Sequence, residues 1–355
     1  MPVFLNNFTA DELHARLAQA GLTLPMARRL QAAAVRRGEY PRPAPGLSAK
    51  ALEKLRPLTS IPRLTLVEKA VSPRDGFAKY LFRGDGPELF EAVLIPLVHR
   101  PADLKAVVCV SSQAGCALDC AFCATGRMGF RRNLAAWEIV QQVAQIQADT
   151  ALPIRSVVFM GMGEPMLNYD EAIRAARILS APSGMAIAGK AITISTAGVT
   201  PGIRRFTAER HPYRLVVSLT VANPVLRREL MPVEKAYPTP ELMRALREYH
   251  DATGRRVTLA WVMMAGVNTG EADARELAEV TRGLPIKLDL IDVNDPSGRF
   301  RPPSREELDV FRDALRAGLA APVARRYSGG GDIAAACGML AGEPAGARRP
   351  APREP

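Results

Sequence analysis

The chain has 355 residues, and its 47 Lys and Arg against 36 Asp and Glu give a formal net charge of +11. This length allows one large domain with a small appendage, and the sequence shows neither an apolar run long enough to span a membrane nor an N-terminal signal peptide. We therefore expect a soluble, cytoplasmic and monomeric protein, and the basic excess favours a polyanionic partner such as RNA.

The first hundred residues predict an N-terminal accessory domain. A helical pattern over 7–37 begins at Asn7 or Thr9 and ends with two arginines and Gly38, as helix C-termini favour. A proline-rich linker and a short helix over about 50–58 follow. Strands are expected at 64–67, 78–82 and 90–98. We interpret residues 1–100 as a small helical module with short strands that could clamp RNA.

From residue 105 the sequence alternates apolar strands with amphipathic helices. The predicted strands are 106–112, 156–161, 191–196, 214–220, 257–264 and 286–293, and the predicted helices are 134–149, 169–180, 201–209, 239–252, 270–282 and 304–319. Six such repeats favour an α/β core over 101–340 with a parallel sheet, either doubly wound or a partial barrel. Its active site would lie at the carboxyl ends of the strands. The tail, 341–355, is rich in Pro, Ala and Arg and is predicted to be disordered.

The cysteines are clustered. Of the five in the chain, four fall between Cys109 and Cys123, directly after the first predicted core strand. Disulfides are disfavoured as a resting state in a cytosolic protein with a large core. Cys116, Cys120 and Cys123 offer three thiolates on one loop, which suits a cuboidal iron–sulfur cluster with one open iron. Zinc is the alternative, but structural zinc takes four ligands and the histidines show no paired spacing.

The Cys116-x3-Cys120-x2-Cys123 loop after the first strand of a six-fold βα chain resembles the radical S-adenosylmethionine (SAM) superfamily. The resemblance implies a partial (β/α)6 barrel, a [4Fe-4S] cluster on these cysteines, and SAM bound to the open iron and split to a 5′-deoxyadenosyl radical. It also implies a reductant protein such as flavodoxin or ferredoxin. The segment from Gly161 to Pro165 is similar to the element that holds the methionine amino group. The residues expected to contact SAM are Gly163, Glu164, Ser195, Ser218, Leu219, Thr220 and Asn294.

A closer resemblance is to the RlmN/Cfr family of RNA methyltransferases. It rests on four segments, CVSSQAGCALDCAFC (109–123), GFRRNL (129–134), GMGEPMLN (161–168) and DIAAACGMLAG (332–342), and it covers nearly the whole chain. The family implies that Cys337 receives a methyl group from one SAM. A second SAM supplies the radical that removes a hydrogen from this methyl group, and the resulting methylene radical adds to C2 or C8 of an adenine in ribosomal or transfer RNA. Cys109 would release the product through a transient disulfide, and Glu91 aligns with the proposed proton acceptor.

The chain departs from this family at four places. Thr220 stands where the family usually has His, Gly329 replaces an Arg, Met339 replaces a Gln, and the loop after Asn294 is shorter than usual. Two other readings stay open from the sequence: a radical SAM enzyme acting on a small molecule or peptide, and a non-catalytic RNA-binding module with a structural metal.

Overall fold

The N-terminal helices form a module with its own small core. The computed structural model describes residues 2–97 and 104–343. The predicted helix over 7–37 is two helices, α1 (Ala10–Leu17) and α2 (Leu24–Arg37), and α3 is Ala49–Leu55. Thr9 caps α1 in a capping box with Glu12, and the short strands β1 (Val3–Phe4) and β2 (Thr59–Ser60) pair in parallel. The chain breaks between the helices because Thr23 begins a new cap ahead of Pro25.

This module packs against the core through a few specific contacts. The Trp137 backbone N–H donates to Asn7 Oδ1 at 2.9 Å, and the Phe4 and Trp137 rings meet edge to face at 6.2 Å. Arg36 donates to the carbonyl oxygens of Pro182 and Gly184. The module is therefore fixed to the helical side of the core.

The three N-terminal strands β3 (Thr65–Val71), β4 (Ala78–Arg83) and β5 (Leu89–Leu97) extend the main sheet. They run antiparallel, and β5 pairs with the first core strand, with Val93 opposite Cys109. Residues 2–97 thus contribute both a helical module and three strands of the core sheet. Residue 98, the predicted end of the last strand, lies outside the described residues, as does the predicted tail from residue 344.

The core sheet continues with parallel strands in sequential order. They are β6 (Lys105–Cys109), β9 (Ile154–Phe159), β10 (Ile192–Thr196), β11 (Arg214–Ser218), β12 (Val257–Met263), β13 (Ile286–Asp292) and β14 (Val323–Arg326). Each crossover steps in the same direction, as in a barrel, whereas a doubly wound sheet reverses direction. The predicted partial barrel is confirmed. The parallel strand β14 was not predicted.

Helices cover the convex face of this sheet. They are α5 (Ala136–Asp149), α6 (Tyr169–Ser180), α7 (Thr200–Ala208), α10 (Thr239–Thr253), α11 (Glu271–Val280) and α12 (Arg305–Gly318), each within two residues of its prediction at both ends. The turns α4 (Ala124–Arg127), α8 (Pro224–Leu230) and α9 (Val233–Ala236) and the hairpin of β7 (Gln113–Gly115) with β8 (Phe130–Asn133) lie in the connections. None of the described helices has the length and apolar character needed to cross a membrane.

Candidate active site

A cavity opens at the carboxyl ends of the parallel strands. Its wall includes Ser195 from β10, Ser218 from β11, Ala260 and Val262 from β12, and the segment 291–294 at the end of β13. The cysteine loop and Cys337 close the other side. Most of the remaining lining is apolar, so polar groups are few and each has a defined position.

Cys116, Cys120 and Cys123 all line this cavity and are partly exposed. The three thiols interact electrostatically with one another, so they are neighbours. Burial raises the pKa of Cys116 to about 12 and also raises the pKa of Cys120. The free thiols of Cys116 and Cys120 are therefore neutral near pH 7, and binding to iron must displace their protons.

Three adjacent thiols on one wall fit a cuboidal iron–sulfur cluster that keeps one iron open toward the cavity. No group of three or more His, Cys, Asp or Glu side chains among the described residues is arranged to hold a single metal ion. In an iron–sulfur cluster the irons are bridged by sulfide and need only one thiolate each, so Cys116, Cys120 and Cys123 could each hold one iron.

Glu164 is the buried acid of the site. It lines the cavity at 3% exposure, and its carboxylate accepts the backbone N–H groups of Ala197 at 2.8 Å and Met166 at 2.9 Å. Burial raises the pKa of Glu164 to about 7, and the two N–H donors oppose that rise. A cationic ammonium in the cavity would supply the missing counter-charge, which is the interaction predicted for the amino group of SAM.

Gly163 allows its backbone to pass close to Gln113, which precedes the cysteine loop in the chain. Its φ is +96°, and a Cβ there would lie 2.5 Å from Gln113 Cβ. The Gln113 side chain in turn accepts the Glu164 N–H at 2.9 Å. The glycine therefore fixes Glu164 through backbone packing.

The other predicted SAM contacts divide into two groups. Ser195, Ser218 and Asn294 line the cavity. Leu219 and Thr220 are fully buried and are not part of its lining; Leu219 belongs to the main core. Thr220 has a left-handed backbone with φ +59°, and its carbonyl accepts a hydrogen bond from Asn268 Nδ2 at 2.9 Å. This local turn directs the Thr220 side chain into the protein body.

Cys337 lies on a loop held by the N-terminal strands. Asp75, in the turn between β3 and β4, accepts the Gly330 N–H at 2.9 Å and the Tyr327 hydroxyl at 3.0 Å. A Cβ on Gly329 would lie 2.4 Å from Asp75 Oδ2 and 2.6 Å from Phe77 Cε2. The replacement of the family's Arg by Gly329 therefore matches a loop packed too tightly for a side chain.

The far side of this loop is tied to the cysteine segment and to Glu91. The Ala124 N–H donates to the Gly338 carbonyl at 2.7 Å, and Thr125 Oγ1 donates to the Leu340 carbonyl at 2.6 Å. Glu91 Oε2 accepts the N–H groups of Ala341 at 2.8 Å and Gly342 at 3.2 Å. These contacts hold Cys337 over the cluster cysteines.

Glu91 itself is fully buried beneath the loop. Its Oε1 lies 3.1 Å from Lys79 Nζ, and that lysine is only 5% exposed. Glu91 is not part of the described cavity lining. In this conformation it anchors the segment that follows Cys337.

Cys109 and Cys337 approach each other from opposite sides. Cys337 is exposed at the cavity and Cys109 is buried at the end of β6. Burial raises the pKa of Cys109 far above its usual value, and the nearby Cys337 contributes to the rise. The packed surroundings of the Cys337 sulfur also raise the pKa of that thiol, while Arg326 opposes the rise.

Sequence reasoning missed the residues that hold the site together. Ser72, Asp75, Thr125 and Arg227 carry no motif of their own, and each acts through a partner distant in the sequence. No sequence signal marks them; Arg227, for example, is identified only by its burial and its ion pair with Glu234.

Known proteins resemble this chain over most of its length. The Radical SAM superfamily profile matches residues 110–278. A probable RNA methyltransferase of Myxococcus xanthus is 47% identical over 341 residues, covering 95% of this chain and 94% of the relative. The dual-specificity RNA methyltransferase RlmN of Syntrophobacter fumaroxidans is 44% identical over 272 residues, covering 76% of this chain and 78% of the relative.

A solved structure shows the same architecture over nearly the whole chain. The radical SAM methyltransferase from Sphaerobacter thermophilus superposes with a TM-score of 0.85 at 38% identity, covering 96% of this chain and 100% of that one. The chain belongs to the RlmN family of radical SAM RNA methyltransferases.

Proposed function

We propose that this enzyme methylates C2 or C8 of an adenine in ribosomal or transfer RNA, using Cys337 as the methyl carrier. The observation that carries the proposal is the placement of Cys337 on the same cavity as the three cluster cysteines and Glu164. A [4Fe-4S] cluster and SAM, when bound there, supply the methyl group and a carbon-centred radical. The protein's part is to position the reacting groups and exclude water.

Cys116, Cys120 and Cys123 would hold the cluster, and Glu164 would accept the ammonium of SAM. Ser195, Ser218 and Asn294 border the remaining ligand surface. Asn294 Nδ2 also donates to Ser328 Oγ at 2.9 Å and to the Cys337 carbonyl at 3.4 Å. Asn294 would thus couple the position of the bound ligand to the position of Cys337.

Cys109 resolves the covalent enzyme–RNA adduct in this proposal. Its thiolate attacks the Cys337 sulfur, the bond from that sulfur to the bridging carbon breaks, and the methylated base leaves with the electron pair and takes up a proton. The product disulfide between Cys109 and Cys337 needs two electrons from cellular thiols to reopen. Because the resting Cys109 thiol is neutral, it must lose its proton as this step begins.

Glu91 is proposed as the acceptor of the adenine ring proton, and its contacts add a positioning role. Glu91→Gln keeps an oxygen for the Ala341 and Gly342 N–H groups but removes the base, whereas Glu91→Ala removes both. If Glu91 is the base, both variants should accumulate the unresolved adduct. A role in positioning alone predicts that the Gln variant retains much of the activity.

The N-terminal module is proposed as the RNA clamp and a flavodoxin or ferredoxin as the electron donor, in a monomeric cytoplasmic enzyme.

The test of the reaction is mass spectrometry of the Cys337 peptide from anaerobically purified protein, after growth on methyl-labelled methionine. We expect a methylated Cys337 in the wild type and an attached adenine nucleotide in Cys109→Ala. An unmodified Cys337 in both proteins, with iron and sulfide present, would contradict the proposal and favour another radical SAM reaction.

A further inference from the structure

A second cavity of about 410 Å³ lies at the opposite, amino-terminal ends of the parallel strands. Its described lining holds six basic side chains and no Asp or Glu; they are Lys190, Arg214, Arg255, Arg256, Lys287 and Arg326. The strand register assembles them, because Thr193 pairs with Arg214 and Thr258 pairs with Lys287. Neighbouring strands are about 4.8 Å apart, so these charges repel one another unless an anion lies between them.

Three of the six cations already have protein partners. Arg255 donates to the carbonyl oxygens of His211 and Tyr213. Lys287 and Arg326 pair with the buried Asp289, at 2.8 Å and 2.5 Å. These three are therefore held in place by the protein.

The remaining three have no such partner. Lys190, Arg214 and Arg256 are exposed and form no ion pair with any carboxylate of the described residues. By contrast, the buried Arg227 is paired with Glu234. Three unpaired cations in one concavity are the composition of an anion site.

The basic cavity and the active-site cavity lie on one concave face. Arg214 and Ser218 are four residues apart on β11, so their side chains point to the same face of the sheet, about 13 Å apart. Arg326 lines the basic cavity and lies near Cys337. The two cavities share this face but no described lining residue, and Val216, between Arg214 and Ser218, is buried.

We propose that Lys190, Arg214 and Arg256 bind backbone phosphates of the RNA substrate whose adenine is placed at Cys337. This inference rests on the proposed RNA methylation and names a contact surface for it. The binding is through charge and is independent of base sequence.

Two features favour an RNA strand over other anions. Six cations with one nearby carboxylate exceed what a single phosphate needs for neutralisation. The site is concave, which suits a narrow flexible strand better than the convex acidic surface of a folded reductant protein. Single-stranded RNA combines repeated charge with the necessary narrow cross-section.

The test compares a triple variant, Lys190→Ala, Arg214→Ala and Arg256→Ala, with a control that removes three charges elsewhere. Arg244, Arg275 and Arg282, changed to Ala, serve as the control because they are exposed on the helical side and form no ion pair among the described residues. The probe is a mixed-sequence 20-nucleotide RNA bound to holoenzyme at several salt concentrations. Equal iron content and equal thermal midpoints show that the proteins are folded, and Arg256→Glu alone replaces the triple variant if it does not fold.

We expect the triple variant to bind RNA more weakly and its slope of log affinity against log salt to become shallower by about 2, the effect of three lost single-strand contacts. The control should match the wild type. A triple variant that also matches the wild type overturns the inference, as does a defect confined to inorganic phosphate or to reduction by flavodoxin. A wild type that binds no RNA refutes the proposed function itself. If the wild type and the triple variant bind RNA with the same slope of log affinity against log salt, only this phosphate site is refuted.

Discussion

Replacing Arg227 by Met should destabilise the protein far more than the same change at the next residue. Arg227 is fully buried, and its guanidinium lies 2.5 Å from Glu234 Oε2. It also donates to the carbonyls of Leu219 at 3.2 Å and Ala197 at 2.7 Å. These bonds join the ends of β10 and β11 to the turn that follows them.

The expected loss is about 3–5 kcal/mol, because methionine leaves the buried carboxylate of Glu234 without its counter-charge. Arg228→Met is the control. Arg228 is exposed, and a surface change of this kind should alter the free energy of unfolding by less than about 0.5 kcal/mol. Urea unfolding of both variants can be followed through the fluorescence of the buried Trp261.

A double variant separates the charge from the packing. Glu234→Leu in the Arg227→Met background removes the unpaired carboxylate, so we expect it to recover at least about 1 kcal/mol relative to simple additivity. Ala197 also donates its N–H to Glu164, so Arg227→Met should weaken SAM binding as well. An Arg227→Met variant as stable as Arg228→Met, or a fully additive double variant, would refute the reasoning.

Three further outcomes are expected. Gly163→Ala should disturb SAM binding and destabilise the fold, because its Cβ would collide with Gln113. Gly266→Ala is also at positive φ but has open space around it, so it should lower the free energy of unfolding by only about 1 kcal/mol. Equal losses of unfolding free energy in the two variants would contradict the packing argument. Because burial lowers the pKa of His211, the unfolded chain binds a proton there that the folded chain does not, so stability should fall as the pH drops below about 6.5, and the fall should be smaller in His211→Gln when urea midpoints are compared. Glu91→Ala should speed proteolytic cleavage after Cys337, and an unchanged cleavage rate would show that the segment needs no anchor there.

The sequence was sufficient for six of the seven parallel strands, for the covering helices and for the cluster loop. Apolar runs separated by amphipathic helices are local patterns, and the spacing of Cys116, Cys120 and Cys123 is a local signature. The strand ends shifted by up to three residues because hydrogen bonding to neighbouring strands decides where pairing stops. The last strand, β14, was missed because it is four residues long, carries two arginines and pairs with one neighbour, β13.

Only the tertiary structure decided which side chains face the cavity. Thr220 follows Ser218 closely in the sequence, yet its left-handed backbone and the bond from Asn268 turn it into the core. Glu91 likewise meets its partners, Lys79 and Gly342, through the antiparallel pairing of β4 with β5 and the return of the chain end.

What the sequence determined by itself is the chemistry: a cysteine loop for a cluster, a glycine-rich turn before Glu164 and a lone cysteine near the end of the chain. What the tertiary structure decided is where these groups meet, and that Lys190, Arg214 and Arg256 share one basic cavity below them. The reason is physical, because motifs depend on neighbours in the chain, whereas a charged surface depends on the register of separate strands.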